Sequence, residues 1–489
     1  MALVDRIARG AKATFGATML DLASNGLLIL VLTRVLFEPA EYGQLNFALS
    51  AFGVVTILAT LGLPKSAARY VTEFAEKSPG QVPHVVRQSL RFLLVLIAVV
   101  AGGTLLLGRP IASVAGTPSI VPFLLVGACY IASYALRSYF MLLFQGFNRV
   151  TYSATVRVVT SVSRLPLVVA FVLLGFGVTG ALYGYVASLL LSALFGGYVA
   201  YTRFYTDYDP DPEPEADLTR RLLEYSVPLT ATRGANVLDK KVDTLLVGAL
   251  LNMTAVSYYT IAKQVSDFVA APASSFGYTI SPALGEQSSK DETERAASLY
   301  EQSLEYVLLA YVPAVVGLIL VADPMVRYIF GPDYLGAVPV LQVFSGFMLV
   351  NAINKVTSDG LDYLGRARSR AVIKSAMAVS NVILNLVLIP MVGVVGAAIA
   401  TVITYTVYTL SNVYFITQEL PVRVGHVLRR LGIACLVTVG MAVPVWFALP
   451  YVSGIVTLFA AVFLGAGVWG VLSVAGGVLD VRRVARFLT

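Results

Sequence analysis

Apolar runs of about 20 residues recur from one end of the chain to the other, parted by short polar stretches; that length spans a ~30 Å bilayer core as a helix. The pattern predicts an all-α integral membrane protein with about fourteen transmembrane helices. They fall near residues 14–37, 44–63, 90–108, 119–145, 153–175, 180–201, 222–251, 255–283, 302–322, 334–360, 369–390, 394–416, 431–449 and 453–478. Tight connections at 38–43, 175–179, 252–254, 391–393 and 450–452 alternate with longer, basic ones. The connections on the side of both termini carry 23 of the 35 Lys and Arg residues, and the opposite side carries only Arg109 and Arg327. Positive charge stays inside, so the expected site is the cell membrane with both termini cytoplasmic.

Polar residues interrupt the apolar runs with helical spacing. Arg233, Asn236, Asp239, Lys240 and Asp243 share one third of the circumference of the seventh span, and Lys241 lies off that face. Coherent faces recur as Thr14, Thr18, Asp21 and Asn25 in the first span and Arg157, Ser161 and Arg164 in the fifth. Lys263, Asp267 and Ser274 mark the eighth, Asn351, Lys355, Ser358, Asp359 and Asp362 the tenth, and Lys374, Asn381 and Asn385 the eleventh. An isolated charge in hydrocarbon costs about 2.5–3.5 kcal/mol on insertion scales, so these faces should line a polar pathway. The alternative is structural, because Lys263–Asp267 and Lys355–Asp359 are spaced to neutralise each other within one helix. Neutralisation is incomplete, since ten basic residues stand in the spans against Asp21, Asp239, Asp243, Asp267 and Asp359. A watery cavity with that excess suits an anionic, hydrated substrate.

The chain also repeats. Gly177-Val-Thr-Gly180-Ala181 returns as Gly393-Val-Val-Gly396-Ala397, and Gln145-Gly-Phe-Asn148-Arg149 parallels Tyr363-Leu-Gly365-Arg366. Asp21 and Asn25 map onto Asn236 and Lys240. The expected organisation is a six-helix lobe (1–201), a linker (202–221), a second six-helix lobe (222–416) and an added helix pair with a cytoplasmic tail (417–489). Such parallel repeats commonly hold a substrate between them and expose it alternately. The linker, Asp207-Tyr-Asp-Pro-Asp-Pro-Glu-Pro-Glu-Ala-Asp217, alternates acid and proline, which predicts an extended, solvated and flexible tether.

Composition agrees with a membrane protein: 489 residues, 57% hydrophobic and 13% charged, with a mean hydropathy of +0.78. Cys129 and Cys435 lie in apolar runs and read as small buried hydrophobes. His84 and His426 leave little for histidine catalysis, and Gly62-Leu-Pro-Lys65-Ser66 lacks the spacing of a phosphate loop. Gly180-Ala-Leu-Tyr-Gly184 reads as internal helix packing rather than a dimer face.

Arg34-Val-Leu-Phe-Glu38-Pro39-Ala40-Glu41-Tyr42-Gly43, the Gly146 and Gly365-Arg366 turns and both Gly-x-x-Gly-Ala segments resemble those of polysaccharide-export flippases. These form the polysaccharide transporter branch of the multidrug/oligosaccharidyl-lipid/polysaccharide exporter superfamily, and the likeness spans essentially the whole chain. The resemblance implies no enzyme but a flippase that moves a lipid-linked (phosphate or pyrophosphate) oligosaccharide from the cytoplasmic to the outer leaflet, for surface polysaccharide or glycoprotein synthesis. It implies no cofactor beyond coupling to a Na+ or H+ gradient. Partners would be the lipid-linked cargo, membrane lipid and glycan-assembly enzymes, with no nucleic acid, and the protein is expected to be a monomer. The polar faces assign Arg233, Lys240, Arg157, Arg164, Lys263 and Lys355 to phosphate and sugar, and Asn25, Asn351, Asn381 and Asn385 to hydroxyls. Asp21, Asp239, Asp243 and Asp359 are the ion-coupling candidates. Two rivals stand beside this reading: an ion-coupled drug or organic-cation antiporter of the same superfamily, which should have an acidic cavity, and a membrane glycosyltransferase or ligase, which should have large outer loops.

Overall fold

In a computed structural model the chain is helical, and the structure describes residues 2–114, 116–289 and 292–477. Side chains at 2–9, 11, 231–233, 274–275, 278–285, 287–289, 363 and 367 lie outside the description. The backbone divides into two compact units, Met1–Ala249 and Leu250–Thr489. The division falls at the end of the seventh predicted span, whereas the lobes read from the sequence part at 202–221.

The first unit holds α1 (Ala2–Val31), α2 (Pro39–Thr60), α3 (Leu63–Lys77), α4 (Val82–Val114), α5 (Leu124–Gly146), α6 (Val150–Phe171), α7 (Gly177–Ala200) and α8 (Leu218–Leu250). The second holds α9 (Met253–Ser289), α10 (Thr293–Met325), α11 (Val338–Tyr363), α12 (Ala367–Val392), α13 (Val394–Glu419), α14 (Val424–Ala448) and α15 (Ile455–Ala475). Eleven helical segments among the described residues are long and apolar enough to cross a membrane. One of them, Val150–Tyr205, carries both α6 and α7, whereas the charged helices α8 and α9 fall outside the set. The predicted tight turn after residue 38 is shorter than expected. Glu38 caps α2 in a capping box with Glu41, whose carboxylate accepts from the Glu38 N–H at 3.1 Å, so the helix already starts at Pro39.

α3 is an element the apolar runs did not announce. Leu63, Ala67, Tyr70, Val71 and Phe74 form its buried stripe while Lys65, Arg69 and Lys77 stay exposed. The start of α8 rests on it. Ser66 Oγ donates to the Leu222 carbonyl at 2.9 Å, Tyr70 Oη donates to that of Arg221 at 3.2 Å, and Arg221 pairs with Glu73 at 3.1 Å.

The repeated motifs adopt matching geometry in the two units. α7 packs on α5 and α6, α13 packs on α11 and α12, and α4–α5 pairing is matched by α10–α11. Gly177 and Gly393 open α7 and α13 with positive φ, 52° and 70°. The next glycine is placed against the end of the preceding helix: a Cβ on Gly180 would stand 2.6 Å from the Phe171 carbonyl oxygen, and one on Gly396 2.3 Å from that of Leu388. Asn148 and Gly365 are both left-handed, and Arg149 N–H donates to the Phe144 carbonyl at 2.8 Å as Arg366 N–H does to that of Leu361 at 3.0 Å. Both turns therefore end their helix in the same way, by a 6→1 bond around a left-handed residue. Gly184 also packs internally, its Cβ position lying 2.5 Å from Val168 Cα of α6.

Two expectations need correction. The acidic linker is non-helical, as its prolines require, but it is held rather than free. The buried Gln81 side chain donates to Asp211 Oδ2 at 2.7 Å and to the Glu213 carbonyl at 3.0 Å, and accepts from the Glu215 N–H at 2.7 Å. The Asp211 N–H donates to the Gly80 carbonyl at 3.0 Å, and His84 Nε2 lies 2.8 Å from the Asp211 carbonyl. Cys129 and Cys435 are exposed on the protein surface rather than buried. On a lipid-facing helix an apolar environment exists outside the protein as well as inside it, so an apolar sequence context does not tell the two apart.

Candidate functional site

Four helices of the first unit bring a cationic polar cluster together. The serine and threonine spacing of α6 aligns Arg157, Ser161 and Arg164 over two turns, about 10 Å of helix axis. α1 packs along this face. Arg157 Nη1 donates to Thr18 Oγ1 at 3.0 Å, and Ser161 Oγ donates to the Asp21 carboxylate. From α5, Arg137 Nε donates to Thr160 Oγ1 at 2.6 Å. The Arg164 guanidinium sits 5.3 Å from the centroid of the Tyr185 ring on α7, a cation–π distance. Among the described residues the buried Arg164 Nε has no acceptor, and no carboxylate lies at ion-pairing distance from Arg137, Arg157 or Arg164. Three guanidiniums and one half-buried carboxylate leave this face net positive. In a site of low dielectric such a face can hold a phosphate through charge-assisted hydrogen bonds.

α8 carries its polar residues in two environments. Asn236, Asp239 and Lys240 are exposed, while Asp243 is 2% exposed. The stem of Lys241, the residue off the face, packs toward α2, with Cε 4.0 Å from where a Cβ on Gly53 would stand. Arg233 lies on this helix with its side chain outside the described residues. Asn25 of α1 is exposed.

The second unit builds a different kind of polar site. Tyr405 Oη on α13 donates to Asn351 Oδ1 of α11 at 3.2 Å and accepts from Asn354 Nδ2 at 3.2 Å. Asn412 Nδ2 donates to Asn354 Oδ1 at 2.9 Å. On α12, Asn385 Nδ2 donates to Asn381 Oδ1 at 2.9 Å, and Asn381 Nδ2 reaches Thr404 Oγ1 at 3.4 Å. These bonds tie α11 and α12 to α13, the interhelical use of amides expected in hydrocarbon. Lys263 Nζ lies 5.5 Å from the Tyr259 ring, one turn away on α9. Lys355 and Asp359 are half-buried on α11, where α9 approaches so closely that a Cβ on Gly277 would stand 2.9 Å from the Lys355 carbonyl.

Sequence spacing put Arg157, Ser161 and Arg164 on one helix face and Asp21 on another, but assigned no site role to Arg137, Tyr185, Asn354, Tyr405 or Asn412. Each of these meets its partner across helices, and periodicity reports only what shares a face on one helix. Arg137 carried the usable signal, a single arginine within an apolar run.

Against known proteins, the profile of the family described as "Polysaccharide biosynthesis protein" matches residues 11–286, more than half of the chain. The chain belongs to this family. A second profile, MatE, matches residues 228–387. The "Probable low-salt glycan biosynthesis flippase Agl15" of Haloferax volcanii is 24% identical over 256 residues, an alignment taking in 52% of this chain and about half, 54%, of that relative. Among solved structures, "Lipid II flippase MurJ, inward closed conformation" matches with a TM-score of 0.74 and 15% identity, covering 95% of this chain and 98% of its own. An inward-facing "multidrug resistance MATE family transporter of the MOP superfamily" matches at 0.69 and 17% identity, over 82% and 95% of the two chains. At these identities the structures establish the fold. It is the fold of multi-pass membrane transporters, as the family resemblance led us to expect.

Proposed function

We propose that the protein is a flippase for a lipid-linked oligosaccharide, carrying its phosphate-bearing head group from the cytoplasmic to the outer leaflet of the cell membrane by alternating access. The observation that carries this reading is the Arg137–Arg157–Arg164 cluster, with an unsatisfied buried guanidinium nitrogen and no carboxylate paired to it among the described residues. Family membership and the flippases among the relatives support the same cargo class. In this reading Arg157 and Arg164 hold the phosphate, with Arg137 beside them, and Arg233, Lys240, Lys263 and Lys355 guide the charged head group. Asn25, Asn351, Asn381 and Asn385 contact sugar hydroxyls, the last three from the amide network that also braces their helices. Asp21, bonded to Ser161 beside the arginines, is the leading candidate for Na+ or H+ coupling, with Asp239, Asp243 and Asp359 as further candidates.

Cells lacking the gene test this reading. It predicts that lipid-linked oligosaccharide accumulates in the cytoplasmic leaflet while surface glycan is lost. The second reading, an ion-coupled antiporter of organic cations, is favoured by the MatE match. It predicts normal surface glycans and altered sensitivity to cationic drugs.

A further inference from the structure

A groove of about 320 Å³ lies on the first unit, lined by α4, α5 and the end of α7. Its walls are apolar along Leu90, Leu94, Phe140 and Leu143. Gly197 lets the Phe140 ring pack close against α7, since a Cβ there would stand 3.1 Å from that ring. Arg87 and Arg91 also line it, one turn apart on α4 and both exposed, together with Tyr201 and Tyr205, whose rings stack at 5.9 Å. Arg87 Nη2 donates to Tyr205 Oη at 3.2 Å. Among the described residues neither arginine has a carboxylate at ion-pairing distance. From Phe92 the helix runs on as an unbroken apolar segment to Val100. The two arginines therefore stand where α4 enters the hydrocarbon core, the depth at which tyrosines gather and lipid phosphates lie.

We propose that this groove binds an anionic phospholipid of the bilayer, with its phosphate between Arg87 and Arg91 and an acyl chain along the apolar walls. Like charges one helical turn apart repel each other, and an anion between them removes that repulsion. A guanidinium pair with no internal acid is matched by a phosphate's acceptor oxygens. Basic pockets between spans take anionic head groups in this way. A free phosphate has no use for the apolar walls, and a neutral lipid has none for the arginines. The groove shares no residue with the Arg137–Arg157–Arg164 cluster, so the proposal stands or falls independently of the flippase reading.

Native mass spectrometry of the full chain, released from detergent with equal amounts of phosphatidylglycerol and phosphatidylcholine, tests it. Wild type should retain phosphatidylglycerol preferentially. Each basic side chain at an anionic surface contributes ~1 kcal/mol, about fivefold, so the R87Q/R91Q double variant should lose about thirtyfold in that preference. The R87K/R91K double variant should keep most of it, which separates charge loss from misfolding. Equal retention of the two lipids, or a preference unchanged in R87Q/R91Q, would overturn the proposal. So would displacement by inorganic phosphate as effectively as by phosphatidylglycerol, which marks a plain anion seat. Stronger retention of a polyprenyl phosphate than of phosphatidylglycerol would also overturn it, by making the groove a cargo site.

Discussion

Replacing Gln81 with alanine should release the acidic linker. One side chain makes three hydrogen bonds there: to Asp211 Oδ2 at 2.7 Å, to the Glu213 carbonyl at 3.0 Å and from the Glu215 N–H at 2.7 Å. A net bond is worth about 1 kcal/mol, and one to a carboxylate somewhat more. The Asp211–Gly80 backbone bond and the His84 contact remain in the variant. The three lost bonds put the loss to the closed linker at ~3 kcal/mol, which raises its open population on the order of a hundredfold. Proteolysis follows that population when opening and closing are fast relative to cleavage. A glutamate-specific protease acting on the purified full chain, with cleavage after Glu215 followed by mass, reads the change directly, since Pro214 blocks cleavage after Glu213. Gln81→Glu sets a second carboxylate against that of Asp211 and should cut faster still. Cleavage of Gln81→Ala within about threefold of wild type, ~0.7 kcal/mol, would refute the clamp.

Other outcomes follow from the same geometry. Gly396→Val meets the Leu388 carbonyl at 2.3 Å and Gly180→Val the Phe171 carbonyl at 2.6 Å, so each should lose about 2 kcal/mol by overpacking and melt earlier in detergent. Gly425→Ala, with open space around its Cβ, should not. Burial alone would raise the Glu73 pKa, but Lys77 and Arg221 outweigh it and hold the carboxylate below its ordinary value of 4.5. Its support of the α3–α8 contact is thus complete above that value and fades as pH falls through the lowered one. Melting temperatures between pH 3 and 6 should fall less steeply in Glu73→Gln than in wild type. Asn354→Leu severs both the Tyr405 and Asn412 bonds and should lower stability by about 2 kcal/mol; an unchanged melt would remove the bracing role of this network.

Most helices were legible because an apolar run of about twenty residues matches the thickness of a bilayer core, and few soluble folds bury so long a run. Even α8 and α9, which are absent from the apolar spans, were found from length and the spacing of their polar residues. α3 was not, because Lys65, Arg69 and Lys77 make it look like a loop unless the stripe from Leu63 to Phe74 is counted at helical spacing. The linker shows the limit from the other side. Alternating prolines exclude a helix, but the fixing of residues 211–215 depends on a glutamine about 130 positions earlier, and no local pattern carries that. The candidate site was half legible for the same reason. Arg157 and Arg164 share a visible face, whereas Thr18, Arg137 and Tyr185 reach them only after three other helices have packed.

The proposed function has this chain move a phosphate-linked glycolipid across a bilayer through the α6 arginines. Proteoliposomes loaded with a fluorescent lipid-linked oligosaccharide, with leaflet position read by an impermeant lectin, test it most directly. Wild type should make the cargo accessible far faster than protein-free vesicles. The R157A/R164A double variant, inserted at equal density, should fall at least about a hundredfold, since each of the two lost contacts to a charged group is worth ~1.5–3 kcal/mol. Cargo that stays in its leaflet with wild type, in vesicles where the same protein exchanges an organic cation for protons or sodium, would contradict the account.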